Sequence, residues 1–173
     1  MKFRKSIRLK EFDYTSTNWY FVTVCTKNRK RLFLSAVDPR FTPDNQSNVA
    51  AASYAANNTS IFIRCLNDLS NKYYDNITID FYCSMSDHIH IIFIFNDKVI
   101  KKGAIGSRSY SLGDIIRTLK ATVSRDIGKP IWQPNFYEHI IRDEKSLDKI
   151  REYILNNPAA DYREIPWRTI DPV

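Results

Sequence analysis

The 173-residue chain lacks any charge-free apolar segment approaching the roughly 18–20 residues that span a bilayer. Its opening MKFRKSIRLK carries charges with no apolar signal core behind them. These absences argue against a membrane-spanning helix or a secretory leader, and the expectation is a soluble protein of the cytoplasm. No internal repeat is present, which removes solenoids and propellers. Cysteine is scarce: Cys25, Cys65 and Cys83 are odd in number, lack CxxC spacing and fall inside apolar patterns, so they read as small core residues. The segment 42–60, TPDNQSNVAAASYAANNTS, contains neither lysine nor arginine and reads as a polar loop. The whole chain is 43% apolar and 13% aromatic, enough for one domain over 1–173 with its core at about 15–160.

The formal charge of +7 is unevenly placed. Residues 1–31 hold nine basic side chains, Lys2, Arg4, Lys5, Arg8, Lys10, Lys27, Arg29, Lys30 and Arg31, against Glu11 and Asp13. The rest of the chain is balanced at 17 basic and 17 acidic residues. Two clusters, MKFRKSIRLK and KNRKR, therefore carry the whole excess. Such clusters release counterions from a phosphate backbone and give salt-dependent binding to nucleic acid; a merely solvated basic face is the bland reading. Lys101, Lys102 and Arg108, in a basic loop, and Lys120 further on are additional candidates for gripping DNA.

WYFVTVC (19–25) reads as a strand buried on both faces. Phe62, Cys65, Leu66, Leu69 and Tyr73 recur at helical spacing after the capping candidates Thr59 and Ser60. ITIDFYCSM (77–85) alternates as a half-buried strand, and HIHIIFIF follows after Ser86-Asp87 as its hairpin partner. Ser111 with Asp114 opens a second helix bearing Leu112, Ile115, Ile116, Leu119 and Val123. A short strand through Phe136 to Ile141 precedes a last helix, capped by Asp143, carrying Leu147, Ile150 and Ile154 and stopping at Asn157 before Pro158. The order β-α-β-β-α-β-α predicts an α+β, ferredoxin-like antiparallel sheet with both main helices on one face, the other face open to a ligand, and the first and third of these strands central.

The chain has three histidines, and two of them stand one residue apart in SMSDHIHIIFIF. His88 and His90 point to the same side of a strand, where neutral ring nitrogens can share a divalent metal or simply form hydrogen bonds at a sheet rim. On the last helix Tyr153 and Asn157 lie four apart and share a face; a core-border phenol and a C-cap amide are the plain alternative. His139 lies in the strand FYEHIIR, as a satisfied strand histidine or as a neighbour of the metal or DNA. Trp132, Gln133, Phe136 and Tyr137 offer base stacking or core packing.

Taken together, HIH after a strand, YFVTVCTKNRKRLF, WQPNFYEHIIRD and REYILNNP, in this order, resemble the REP-associated tyrosine transposases, single-tyrosine transposases of the HUH class. The resemblance spans about Trp19 to Pro158. It implies the HUH nuclease fold and metal-dependent cleavage and rejoining of single-stranded, hairpin-containing DNA through a covalent 5′-phosphotyrosine. It places the nucleophile at Tyr153 and the ligands of Mg²⁺ or Mn²⁺ at His88, His90 and Asn157. Where the family often has a proline-asparagine turn before the histidines, this chain has Ser86-Asp87, which sets Asp87 beside the metal. Expected with it are a nucleoid-associated location in a bacterial cytoplasm and a monomer or homodimer. The competing expectations are a non-catalytic single-stranded nucleic-acid-binding module of the same fold and a metal-dependent hydrolase using water.

Overall fold

Apolar runs of strand length are divided by turn residues and by two amphipathic helical stretches, and they fold accordingly. The computed structural model describes residues 11–37, 52–103 and 108–156. Five strands, β1 (Trp19–Cys25), β2 (Ala36–Val37), β3 (Tyr74–Met85), β4 (His88–Lys101) and β5 (Tyr137–Ile141), form one sheet in the order β2-β3-β4-β1-β5. Every pairing is antiparallel. The helices are α1 (Ala52–Asp68), continued by a π-helical turn to Tyr73, α2 (Leu112–Ile127) and α3 (Glu144–Asn156). Apart from the two-residue β2 at the edge, this is the expected ferredoxin-like order, with β1 and β4 at the centre.

One face of the sheet, through Tyr20, Val22, Ile89, Ile91 and Phe93, packs on Phe62 and Leu66 of α1, on Leu69 of the π-helical turn and on Leu112, Ile115 and Leu119 of α2. Ser111 and Asp114 close a reciprocal capping box at the start of α2. Gly128, in the left-handed region at φ 82°, ends that helix.

The opposite face is not open, contrary to expectation. Leu147, Ile150 and Ile154 of α3 lie on Phe21, Phe81, Cys83, Met85, Ile92 and Ile141. An uncovered sheet face so apolar on both sides would be costly in water. Burying the three aliphatic side chains of α3 contributes roughly 5–9 kcal/mol before ordering entropy. Asp143 caps this helix, accepting from the Ser146 backbone N–H at 2.7 Å. What stays accessible near the histidines is the end of the sheet, not its face.

Two further expectations are corrected. The polar segment does not run to residue 60 as a loop, because Ala52–Ser60 is already helical in α1. Its alanines favour helix, and its polar groups dock it: Asn58 donates to the Leu32 carbonyl at 2.9 Å, and Thr59 accepts from the Leu34 N–H at 2.9 Å. Thr59 and Ser60 are therefore interior helix residues, not caps. Nor does β3 keep one alternation throughout. A bulge between Ile79 and Phe81 inserts Asp80 and switches the faces, so Ile77 and Ile79 face α1 and α2 while Phe81, Cys83 and Met85 face α3.

Candidate active site

Met85 pairs with His88 across a turn of two residues, Ser86 and Asp87, so both histidines fall on the first residues of β4. Their side chains share the face covered by α3, in register with Cys25 and Thr23 of β1. Both residues are buried, at 5% and 4% exposure. The Nε2 atoms of His88 and His90 face each other at 3.1 Å. The other nitrogen of each ring is engaged: Nδ1 of His88 lies 2.8 Å from Asp87 Oδ1, and Nδ1 of His90 lies 2.9 Å from Thr23 Oγ1.

That arrangement passes a simple test for a metal. Two imidazole nitrogens each about 2.1 Å from one divalent ion, at right angles, stand near 3 Å apart, which matches the observed separation. With an N–H on each Nδ1, both Nε2 lone pairs point at the shared space, and the carboxylate and hydroxyl behind the rings fix their orientation. Burial lowers the pKa of His88 against the opposing pull of Asp87. It holds His90 well below the ordinary range, helped by His88 and Arg29. Both rings are accordingly neutral at neutral pH, the form that binds metal. Among the described residues no group of three histidine, cysteine or carboxylate side chains is arranged to hold a metal ion by itself.

From above, α3 brings Tyr153 over the pair. Its ring centroid lies 5.8 Å from that of His90 and 6.5 Å, edge-on, from Phe21. Phe21 in turn stacks on His90 at 5.2 Å. Arg151, two residues before the tyrosine, clamps α3 to β3: its Nη2 and Nε donate to the two oxygens of Asp80 at 2.6 and 2.9 Å. The bulge in β3 is what turns Asp80 toward α3.

His88, His90, Asp87 and Tyr153 thus converge, while Asn157 lies outside the described residues. His139 occupies the same face on β5, paired with Phe21, so that the phenyl ring separates it from His90. Burial and Arg142 lower its pKa. Lys2, Arg4, Lys5, Arg8 and Lys10 also fall outside the described residues. Lys27, Arg29, Lys30 and Arg31 are exposed on the segment wrapped around the histidine turn, where the N–H groups of Leu32 and Phe33 donate to the Ser86 carbonyl. Arg29 reaches Asp87 at 3.5 Å. Lys101, Lys102 and Arg108 belong to the other end of β4, some ~40 Å away at the usual strand rise, with Lys102 paired to Asp75 and Arg108 over the ring of Tyr110. Lys120 donates to the carbonyls of Gln133 and Asn135 at 2.5 and 2.6 Å, which makes it a tie between α2 and the following loop.

Residues missed in the sequence are Thr23, Phe21 and the Asp80–Arg151 pair. Thr23 left a signal as the one aliphatic hydroxyl inside an apolar and aromatic strand; the other three left none.

Similarity to known proteins agrees with this fold. A protein of Haemophilus influenzae, itself uncharacterized, is 32% identical over 171 residues, covering 90% of this chain and 88% of that one. The solved structure of a REP-associated tyrosine transposase bound to a REP hairpin shares the fold at a TM-score of 0.57 and 19% identity, covering 92% of this chain and 73% of that one. No helix among the described residues is long and apolar enough to cross a membrane. The model of the family described as "Transposase IS200 like" matches residues 14–157, most of the chain and all of the site just described, and the protein belongs to that family of transposases.

Proposed function

We propose that this transposase cleaves and rejoins single-stranded DNA next to a hairpin through a covalent 5′-phosphotyrosine on Tyr153, as the REP-associated branch does. The observation that carries the reading is the Tyr153 ring set 5.8 Å from that of His90, whose Nε2 faces that of His88.

Tyrosine with an ordinary pKa near 10 is a weak nucleophile at neutral pH, so charge stabilisation must come from its surroundings. A divalent cation, Mg²⁺ or Mn²⁺, would be held by His88, His90 and the amide of Asn157 and would supply Lewis-acid stabilisation of phosphoryl charge. The two histidines, kept neutral by burial, leave the charge of that cation undiminished. Asp87 and Thr23 hold the rings in place, and α3 holds the phenol ring beside His90. The phenol oxygen forms a bond to phosphorus as its proton departs; the bond from phosphorus to the 3′ oxygen breaks, and that oxygen leaves as a hydroxyl. Attack of a 3′ hydroxyl on the phosphotyrosine reverses the change, and no nucleotide is consumed. Because α3 lies on the sheet of its own chain, the reading favours a site completed within one copy.

The test is incubation with hairpin-bearing single-stranded DNA and Mn²⁺, followed by a denaturing gel. A protein–DNA adduct is expected from the wild type and none from Tyr153→Phe, which keeps its DNA affinity. An adduct that persists in Tyr153→Phe would remove the tyrosine from the mechanism.

A further inference from the structure

The connection Pro130–Phe136, in which the sequence offers Trp132 and Gln133, is not used by the chemistry above. It runs beside α2 and encloses with it a groove of about 520 Å³, within the roughly 300–1,000 Å³ of clefts that seat small molecules. Gly113 and Ala121, too small to fill the space, leave the helix side open. The wall opposite is rigid. Trp132 bridges to Thr26 and its indole N–H donates to the Lys120 carbonyl at 3.1 Å. The Gln133 N–H donates to Cys25 and the Lys27 N–H to Ile131. Two prolines and the Lys120 tie complete the bracing.

The lining is chemically one-sided. Arg117 and Lys120 line it, Arg117 paired at 2.8 Å with Asp114 one turn before it and Lys120 bound to the carbonyls of Gln133 and Asn135, and no acidic residue among the described ones lines the groove. Ser124, Gln133 and Asn135 also line it. Amide side chains carry a donor and an acceptor side by side, the pattern that reads the edge of an unpaired base; the indole beside them is stacked on Phe33 at 5.5 Å, which stiffens that wall. The groove also has an address. It opens at the end of the sheet that carries the histidines, because Thr26 is held between Trp132 on one side and the Asp87 carbonyl on the other. The exposed residues Lys27, Lys30 and Arg31 follow Thr26 in the same segment.

We propose that this groove is a base-reading subsite: it takes one unpaired nucleotide of the DNA strand whose neighbouring phosphate lies at the histidine pair, with the KNRKR segment carrying the backbone around the sheet's end. The proposal rests on the cleavage reading for the identity of the strand. Gln133 and Asn135 supply base recognition, Arg117 a phosphate contact.

The probe is a short single-stranded DNA pool of random sequence, compared by fluorescence anisotropy with an abasic backbone of the same length. The wild-type chain is expected to bind the pool about tenfold more tightly than the abasic strand. Gln133→Ala and Asn135→Ala together should remove most of that difference, and Gln133→Glu, which preserves shape while adding a repelling charge, should do the same. Arg117→Ala should weaken both strands alike. A difference unchanged in the amide variants overturns the subsite, as does an amide-dependent preference for duplex over single strand. The adduct assay is read separately. Base discrimination without an adduct keeps the subsite and discards the cleavage reading; an adduct without base discrimination does the reverse.

Discussion

Thr23 decides what His90 offers to a metal. A hydroxyl can donate or accept, but only when His90 donates from Nδ1 to Thr23 is the Nε2 lone pair free to face that of His88. Asp87, as a carboxylate, imposes the same tautomer on His88 from the other side. Replacing Thr23 by valine keeps the volume and removes the constraint. Mn²⁺ affinity, measured by titration calorimetry, is expected to fall about 10- to 100-fold, while Thr23→Ser retains it; unchanged affinity in the valine variant would assign ring orientation to the stacking of Phe21 instead. The pair itself was legible, because HIH on a strand dictates a shared face. Its support was not, since the contact joins residues 67 positions apart and depends on the β1–β4 register.

At the scale of elements, α3 and the β3 bulge act as one device. The helix brings three aliphatic anchors, and Arg151 adds a bidentate bond to Asp80 that sets its rotation. The Arg151 side chain is 35% exposed, so solvent weakens the pair, and Asp80→Ala is expected to cost about 1–2 kcal/mol in urea unfolding. A larger relative loss should appear in adduct formation than in DNA affinity, because the tyrosine is displaced while the basic segment is untouched. Equal losses in both would mean that the clamp only stabilises the fold. The amphipathic stripe of α3 was plain in Leu147, Ile150 and Ile154, yet where it packed was not. The strict alternation read through residues 77–85 hid the bulge, since inserting one residue into a strand leaves no mark when both faces are apolar. Polar residues in Ala52–Ser60 suggested a loop for a related reason: Asn58 and Thr59 are polar because they dock α1, not because they face water.

For the molecule as a whole, all three histidines have folded pKa values lowered below 6.5. The folded form therefore favours neutral rings. Their contribution is fully present above the unfolded value and is lost as pH falls through 6.5 toward the lowered folded values, because the unfolded chain takes up protons first. The formal +7 charge grows over the same interval and adds repulsion. The urea midpoint is expected to fall between about pH 7.5 and about pH 5.5, and His139→Gln should shrink that fall; equal midpoints would show that the rings titrate normally. The order of elements and the two central strands were readable because hydrophobic period and turn residues are local signals. Closure of the second face was not, since it depends on a helix folding back over β1, β3 and β4. That closure also sets a sequence of events in time. The histidine hairpin is local in the chain, whereas Tyr153 follows it by about sixty residues. At about 5–20 residues per second, the ribosome releases the ligand half of the site several seconds before the residue proposed to cut. On the proposed reading, the residues that would hold a cation and DNA leave the ribosome before the tyrosine that would break a strand.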